Sequence, residues 1–531
     1  MLLLVPFLFC AYFLLYAFAF HIPSWSHRSS LDQRPLHTLP PQETSETPTK
    51  TPLGVWLDKE KEIAFNRLLA NIAPGGRNAE NAAPGSVIAS PSREHPDYYF
   101  QWVRDAAITI QTLVDTYADD PASDLSSQLV PILDAYASLQ YHLQRTPNPS
   151  GTFSDLSGLG EPKFHADGSA FVGNWGRPQR DGPALRALTL MGYLRAYNAS
   201  HPALWASSGG SGDWFRPFYD AAMPPTSIIK ADLEYVSHYW REPGFDLWEE
   251  IRGIHFFTAM VQLRALREGA ELAAAFGDHG AEKWYTAQAD ELEAMVPQFW
   301  DAQKGHLVET LHGSRSGLDC GLLLGSLHGT SPITNASNLY PPHSDEILVS
   351  LLTLVRDQRA RFPINAVPTP EEGGADALRG TGLGRYPEDV YDGYGTTVPN
   401  GGNPWFLCTA AAAEVLYRTR RHLVETRSLM VSEIGTPFWR ALLAGSSTSA
   451  VAAAKLEPGK TYTASDPTGI YSAAVTRLKE VGDSFLAVVR RHSDGAGALS
   501  EQFDRLTGFE RGAKDLTWSY GALLGAVRAR G

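Results

Sequence analysis

The chain has 531 residues, 43% apolar, 11% aromatic and 19% charged, a globular balance that can fill one large core or two to three average domains. Its formal charge of -13 excludes a phosphate-binding surface of clustered Lys and Arg, so no nucleic-acid partner is expected and a neutral substrate fits better. The 13 Trp and 21 Tyr suit either a large core or a sugar-stacking cleft.

Leu2 to Phe20 is almost wholly apolar and closes on Ala17, Phe18 and Ala19, a small-x-small pattern that predicts a secretory leader cut after Ala19. The run lacks a basic start and approaches the lower length of a membrane span. An uncleaved membrane tether through residues 2–20, or a vacuolar destination, is therefore the alternative to secretion. Residues 21–52, rich in Ser, Thr and Pro, read as a linker or pro-segment. Folding is expected to begin at Leu53 and to run as one domain over 53–531. Asn198-Ala199-Ser200 and Asn335-Ala336-Ser337 are glycosylation sequons for an exported chain, whereas Asn148 is disqualified by Pro149. Cys10 leaves with a cleaved leader; Cys320 and Cys408 can pair or serve as small buried hydrophobes.

Apolar residues recur at helical spacing over Leu57 to Ile72, Ala106 to Tyr117, Leu125 to Leu143, Ala184 to Tyr197, Ile228 to Tyr239 and Ile254 to Phe276. The pattern continues over Ala281 to Phe299, Pro404 to Tyr417, Ala473 to Val489 and Ala513 to Val527. Long loops rich in Gly, Pro, Asp and Trp separate them at Asn148 to Pro183, Gly305 to Leu324 and Glu371 to Asn403, and loops of that length usually carry function. Strand signals are sparse. Paired helices of similar length predict an all-α fold, a closed ring of helical hairpins with its loops gathered at one end. A superhelical stack would show a repeating signature, and none is visible.

Five constellations carry chemistry. In Pro96 to Asp105, a helix would place Tyr98, Trp102 and Asp105 on one face, two rings and a carboxylate that make a sugar-sized floor beside Arg104. Gly160 to Arg186 holds Lys163 and then Trp175 in a Gly-rich loop among Arg177, Gln179, Arg180 and Asp181. In Phe245 to Gly253, Asp246, Leu247, Trp248, Glu249 and Glu250 set carboxylates against an indole, where desolvation and like charge let a carboxyl keep its proton to higher pH. Arg385 lies in Gly384 to Asp389 with Trp405 nearby, and Glu501 and Trp518 close the chain. Each is open to a bland reading, as an aromatic core stripe, an Arg–Asp lattice or a solvated first turn of a helix. Zinc spacings, an EF-hand loop, a phosphate-cradling Gly loop and a Gly-x-Ser-x-Gly elbow are all missing from the sequence, so no metal or cofactor is expected.

Taken together, Trp102 to Asp105, Trp175 to Arg186, Asp246 to Glu250, Arg385 to Asp389, Asn403 to Cys408, Ser500 to Asp504 and Asp515 to Tyr520 resemble, in order, the fungal glucoamylases of glycoside hydrolase family 15. The resemblance implies an (α/α)6 barrel whose loops form a funnel for the non-reducing end of a starch-like chain, and a monomer. It implies exo-acting hydrolysis of α-1,4 and more slowly α-1,6 glucosidic bonds with inversion, releasing β-D-glucose. Glu249 then resembles the general acid and Glu501 the general base, with an expected carboxyl separation of about 6.5–9.5 Å. Arg104 and Asp105 resemble the holders of the terminal glucose, Tyr98 and Trp102 its walls. Leu247, Trp248, Glu250 and Arg385 complete the first two subsites, Trp175, Trp405 and Trp518 line the funnel, and Lys163 is a further contact.

The sequence departs from the family in four ways, one of them that its mature chain cannot reproduce the several disulfides of familiar members. It stops at Gly531 with no C-terminal starch-binding domain, so raw-granule binding is not expected. Tyr391 to Gly401 lengthens one rim loop. Gly512 stands where several relatives place a Ser that donates to the base, which predicts a higher acidic limb of activity than in a Gly512→Ser variant. The alternatives are an inverting α-glucosidase of the same fold acting on isomaltose-like sugars or trehalose, and, from another class, a non-catalytic glucan-binding protein.

Overall fold

The computed structural model describes residues 52–208, 214–332, 338–373, 376–398, 401–445 and 452–531. The expected leader, the linker up to Thr51 and the Asn335 sequon lie outside them. No helix of the described residues is long and apolar enough to cross a membrane.

Twelve helices make the barrel. They are α1 Leu53–Ala70, α2 Val103–Asp119, α3 Asp124–Arg145, α4 Gly182–Ser200, α5 Ile228–Tyr239 and α6 Phe256–Ala275, then α7 His279–Met295, α8 Gly321–Gly329, α9 Asp345–Arg361, α10 Phe406–Thr426, α11 Ile470–His492 and α12 Thr517–Arg530. The even-numbered helices form the inner ring: each packs on the next, and α12 closes on α2. The odd-numbered helices stand outside, α1 on α12, α3 on α2, α5 on α4, α7 on α6, α9 on α8 and α11 on α10. This is the (α/α)6 barrel.

Burial differs between inner α4 and outer α7. Inner α4 is buried without interruption from Gly182 to Met191, whereas outer α7 buries only one stripe, including Ala281, Tyr285, Ala289 and Leu292. Helix α8 approaches α6 closely because it carries Gly where the two meet: a Cβ at Gly329 would fall 2.6 Å from that of Met260. Helices α8 and α9 lie outside the predicted spans. Helix α8 is apolar all round and only nine residues long, so it has no stripe to detect. In α9, Arg356, Asp357, Arg359 and Arg361 interrupt the apolar spacing.

The helix expected through Tyr98 to Asp105 is a correction. Phe100–Trp102 forms strand β1, which pairs antiparallel with β2, Lys163–His165, and α2 starts only at Val103. A Tyr-Tyr-Phe-Gln-Trp run of large side chains is a better strand than helix former. Two further two-stranded ribbons matter here: β3 Gly244–Phe245 with β4 Arg252–Gly253, and β5 Gln502–Phe503 with β6 Glu510–Arg511. They sit at the barrel end where the inner helices have their N-termini.

Candidate active site

A cavity of about 280 Å³ opens at that end. Tyr98, Trp102, Arg104, Asp105, Trp175, Leu247, Trp248, Glu249, Glu250, Arg385, Trp405, Glu501 and Trp518 all line it. Their positions explain the convergence. Trp102 caps α2, Asp246 to Glu250 precedes α6, Trp405 caps α10 and Trp518 opens α12, so loops that feed inner helices supply most of the wall.

Glu249 is carried on the turn between β3 and β4. The buried Asp246 carboxylate accepts the peptide N–H groups of Glu250 at 2.7 Å and Ile251 at 2.9 Å, and the Glu249 N–H reaches Asp246 O at 2.9 Å. The turn holds Glu249 at φ 68°, a left-handed backbone that a non-Gly residue adopts only when its surroundings enforce it. Glu249 Oε1 accepts from Trp102 Nε1 at 2.6 Å and Gln179 Nε2 at 2.9 Å, with Arg104 Nη2 at 3.9 Å. Behind it the chain passes so close that a Cβ at Gly176 would lie 2.6 Å from Glu249 O.

The neighbouring Glu250 has a different environment. Burial alone would raise its carboxyl, but Arg385 at 2.9 Å, the Tyr386 hydroxyl and Arg315 at 2.6 Å outweigh it and hold Glu250 below the ordinary carboxylate value. A carboxylate tied to two guanidinium groups cannot serve as a proton donor. The two adjacent carboxylates are thus held differently, Glu250 by two guanidinium groups and a hydroxyl, Glu249 by an indole N–H and an amide N–H.

Glu501 enters β5 and is fully buried at 0% exposure. Burial pushes its carboxyl up to about 8, and Tyr98, the Arg385 charge, the Ala513 peptide and Tyr391 all act against that rise. Tyr98 donates to Oε1 at 2.9 Å and Tyr391 to Oε2 at 3.3 Å.

Arg104 donates through Nη1 to Gln179 Oε1 at 2.8 Å and to Asp181 Oδ2 at 3.0 Å, and its Nε lies 3.3 Å from Asp105 Oδ2. Burial raises Asp105 to about 6, opposed by Arg104. Arg385 is gripped by Asp389 at 2.6 and 2.9 Å and lies 5.2–5.4 Å from the ring centres of Trp248, Tyr386, Tyr391 and Trp405. Trp248 is fixed by its indole N–H to Asp319 at 2.9 Å. Trp175 Nε1 and Trp405 Nε1 are buried with no acceptor among the described residues.

Lys163 departs from its expected place as a contact. It does not line the cavity. Pairing of β1 with β2 sets it opposite Trp102, and its ammonium stands 3.5 Å from the Trp175 ring centre, with Phe100, Trp102 and Phe171 at 4.1–4.6 Å. Four aromatic faces attract the cation behind the wall, and burial lowers it to about 8. The Gly512→Ser comparison also changes meaning. Gly512 has φ +77°, and a Cβ there would lie 2.3 Å from Glu501 Oε2, so Ser would displace the base rather than simply donate to it.

Two direct neighbours of the carboxylates are not singled out by the sequence. Gln179 reads there only as part of the Trp175 loop, and Tyr391 only as the start of a lengthened rim. A polar side chain within a few residues of a matched motif is the sole available signal. Cys320 and Cys408 are joined in a disulfide with their Cα atoms 5.8 Å apart, linking the start of α8 to the first turn of α10.

Comparison with known proteins gives the family. A sequence model described as Glycosyl hydrolases family 15 matches residues 62–528. A glucoamylase of Saccharomycopsis fibuligera is 37% identical over 91% of this chain and 91% of its own length. The atomic-resolution structure of a glucoamylase from that yeast superimposes with a TM-score of 0.78 at 37% identity, covering 90% of this chain and 96% of the other. A family 15 glucoamylase from Hypocrea jecorina gives 0.76 at 35% identity over 90% of this chain and 72% of its own. With its barrel and a family match over residues 62–528, the chain belongs to glycoside hydrolase family 15.

Proposed function

We propose that the chain is an exo-acting glucan 1,4-α-glucosidase that removes single glucose units from the non-reducing ends of starch-like chains and malto-oligosaccharides with inversion. The observation that carries this reading is the pair Glu249 and Glu501 in one cavity, in contrasting environments, with Glu250 disqualified as a donor. Glu249 gives its proton to the glycosidic oxygen as the bond from C1 to that oxygen breaks. Glu501 takes a proton from a water that attacks C1 from the opposite face, and the anomeric configuration inverts. The products are β-D-glucose and a chain one unit shorter with a free hydroxyl.

The remaining wall fits a neutral pyranose. Arg104 and Asp105 offer donors and acceptors for the terminal hydroxyls, and Trp175, Trp248, Trp405 and Trp518 offer apolar faces to C–H groups. Slower cleavage of α-1,6 bonds, a monomeric state and export directed by Leu2 to Phe20 belong to the same proposal. Incubation with maltose, isomaltose, trehalose and soluble starch in parallel, with the first anomer read by NMR, tests it. Glucose should appear as the β-anomer and fastest from the α-1,4 substrates. Initial α-glucose overturns inversion, and preferred turnover of trehalose or isomaltose overturns the linkage assignment.

A further inference from the structure

Glu501 can act as a base only while its carboxyl is ionised and correctly turned, yet it is fully buried. Its two oxygens are served differently. Oε1 receives the Tyr98 hydroxyl at 2.9 Å. On the side of Oε2, Gly512 contributes no side chain, and its positive φ and the 2.3 Å that would separate a Cβ from Oε2 leave no room for one. The Gln502 amide stands 3.4 Å away, at the outer edge of hydrogen bonding.

Tyr391 adds a hydroxyl on that side, 3.3 Å from Oε2, a contact about as long as that of Gln502, and 3.3 Å from the Tyr98 oxygen. Each phenol has one proton, and with the Tyr98 proton committed to Oε1, the Tyr391 proton is the one available for Oε2. The residue is anchored for the task. Its N–H donates at 2.9 Å to Asp389 Oδ1, the same carboxylate that grips Arg385, and its ring lies 5.3 Å from the Arg385 guanidinium and 6.4 Å from the Trp405 ring. The following Asp392 carbonyl accepts from Arg511 Nε, and Arg511 belongs to β6, the partner of the strand that Glu501 enters. The rim loop and the base are therefore tied to one ribbon.

From this arrangement we infer that Tyr391 is a positioning residue for the base, donating to Glu501 Oε2 so that the carboxylate is held in its attacking orientation and favoured in its ionised form. The inference rests on the proposed role of Glu501. The groups that face Glu501 are Tyr98 from the segment before β1, Arg385 and Tyr391 from the rim loop, and the Ala513 peptide before α12; among these Tyr391 alone serves Oε2 with a hydroxyl. Burial pushes the carboxyl up, and each of the four opposes it.

Tyr391→Phe removes one oxygen atom and keeps the ring contacts. Profiles of kcat/KM against pH on maltose, for wild type and variant, give the test. Loss of a donor to the ionised base should move the acidic limb to higher pH by roughly half to one unit and lower kcat about tenfold, with KM changed less than about threefold. An unchanged acidic limb overturns the inference, and so does a rise in KM with kcat retained, which would make Tyr391 a substrate wall. If the variant melts early, both profiles are taken well below its Tm, where the same outcomes apply. A wild type that releases no glucose defeats the hydrolase reading itself, whereas an active wild type with an unmoved limb in the variant defeats only the role of Tyr391.

Discussion

The two carboxylates are presented by ribbons of the same size, β3–β4 and β5–β6, yet the chain uses them in opposite ways. Glu249 occupies the turn between its strands, at a positive φ and with its side chain 17% exposed. Glu501 stands at the entry of its first strand with no exposure at all. A turn residue projects into the cavity, where a group that must hand a proton to a leaving oxygen needs reach. A residue at a strand entry is boxed by its neighbours, where a group that must aim a water needs a fixed orientation and donors that favour its ionised form. On the proposed reading, similar local structure serves two chemical roles because one carboxylate is placed past the ladder and the other before it.

The strongest test of this contrast removes each charge in turn. Glu249→Gln and Glu501→Gln should each lower kcat by about 10²-fold or more while leaving maltose affinity, measured by calorimetry, within a few-fold of wild type. Near-normal turnover in either variant breaks the assignment of that residue.

The next test concerns what braces each ribbon. Asp246→Ala orphans two N–H groups in the acid's turn, at about 1–3 kcal/mol each. It should lower both Tm and kcat clearly more than Ser500→Ala, which affects one side-chain donor and one long contact beside the base. Equal losses in the two variants would show that the turn is not specially strained.

A third test uses the buried state of the base. The Glu501 carboxyl, at about 8 when folded against an ordinary 4.5, stays protonated in the folded chain over a range where the unfolded chain has ionised. Between those values the unfolded state binds fewer protons, so this group takes stability away as pH rises from about 4.5 towards 8. Glu501→Gln should therefore raise Tm relative to wild type at pH 7.5 and by much less at pH 4. A constant difference across that range would mean that Glu501 is ionised throughout.

The smallest expected effect is at Lys163. Because its ammonium stands behind Trp102 and Trp175, Lys163→Met should alter KM for maltose by less than about threefold and lower Tm only modestly, reflecting a cation–π box worth about 2 kcal/mol when desolvated. A tenfold rise in KM would restore it to the substrate contacts.

The site is legible in sequence to the extent that its chemistry is written in short contiguous runs. Trp102 to Asp105, Leu247 to Glu250 and the Arg385 stretch each bring several wall residues from one place, and the helical spacing of α3 follows from one buried stripe. What stays hidden depends on partners remote in the chain. Nothing in Glu249-Glu250 reveals that Arg315, Arg385 and Tyr386 converge on the second Glu alone. The depth of Lys163 is a matter of strand register, since a residue facing β1 from β2 goes behind the aromatic wall rather than through it. Helix α8 leaves no trace because a short, uniformly apolar helix is indistinguishable by periodicity from a buried strand.

Tyr98 and Trp102 lie in edge contact with ring centres 5.4 Å apart, and one donates to Glu501 while the other donates to Glu249. Two groups far apart in the chain are thus both measured from a single five-residue segment. That segment therefore braces both carboxylates from one side, while β3–β4 and β5–β6 hold them from the other, so a change in either of its two rings would be felt at both.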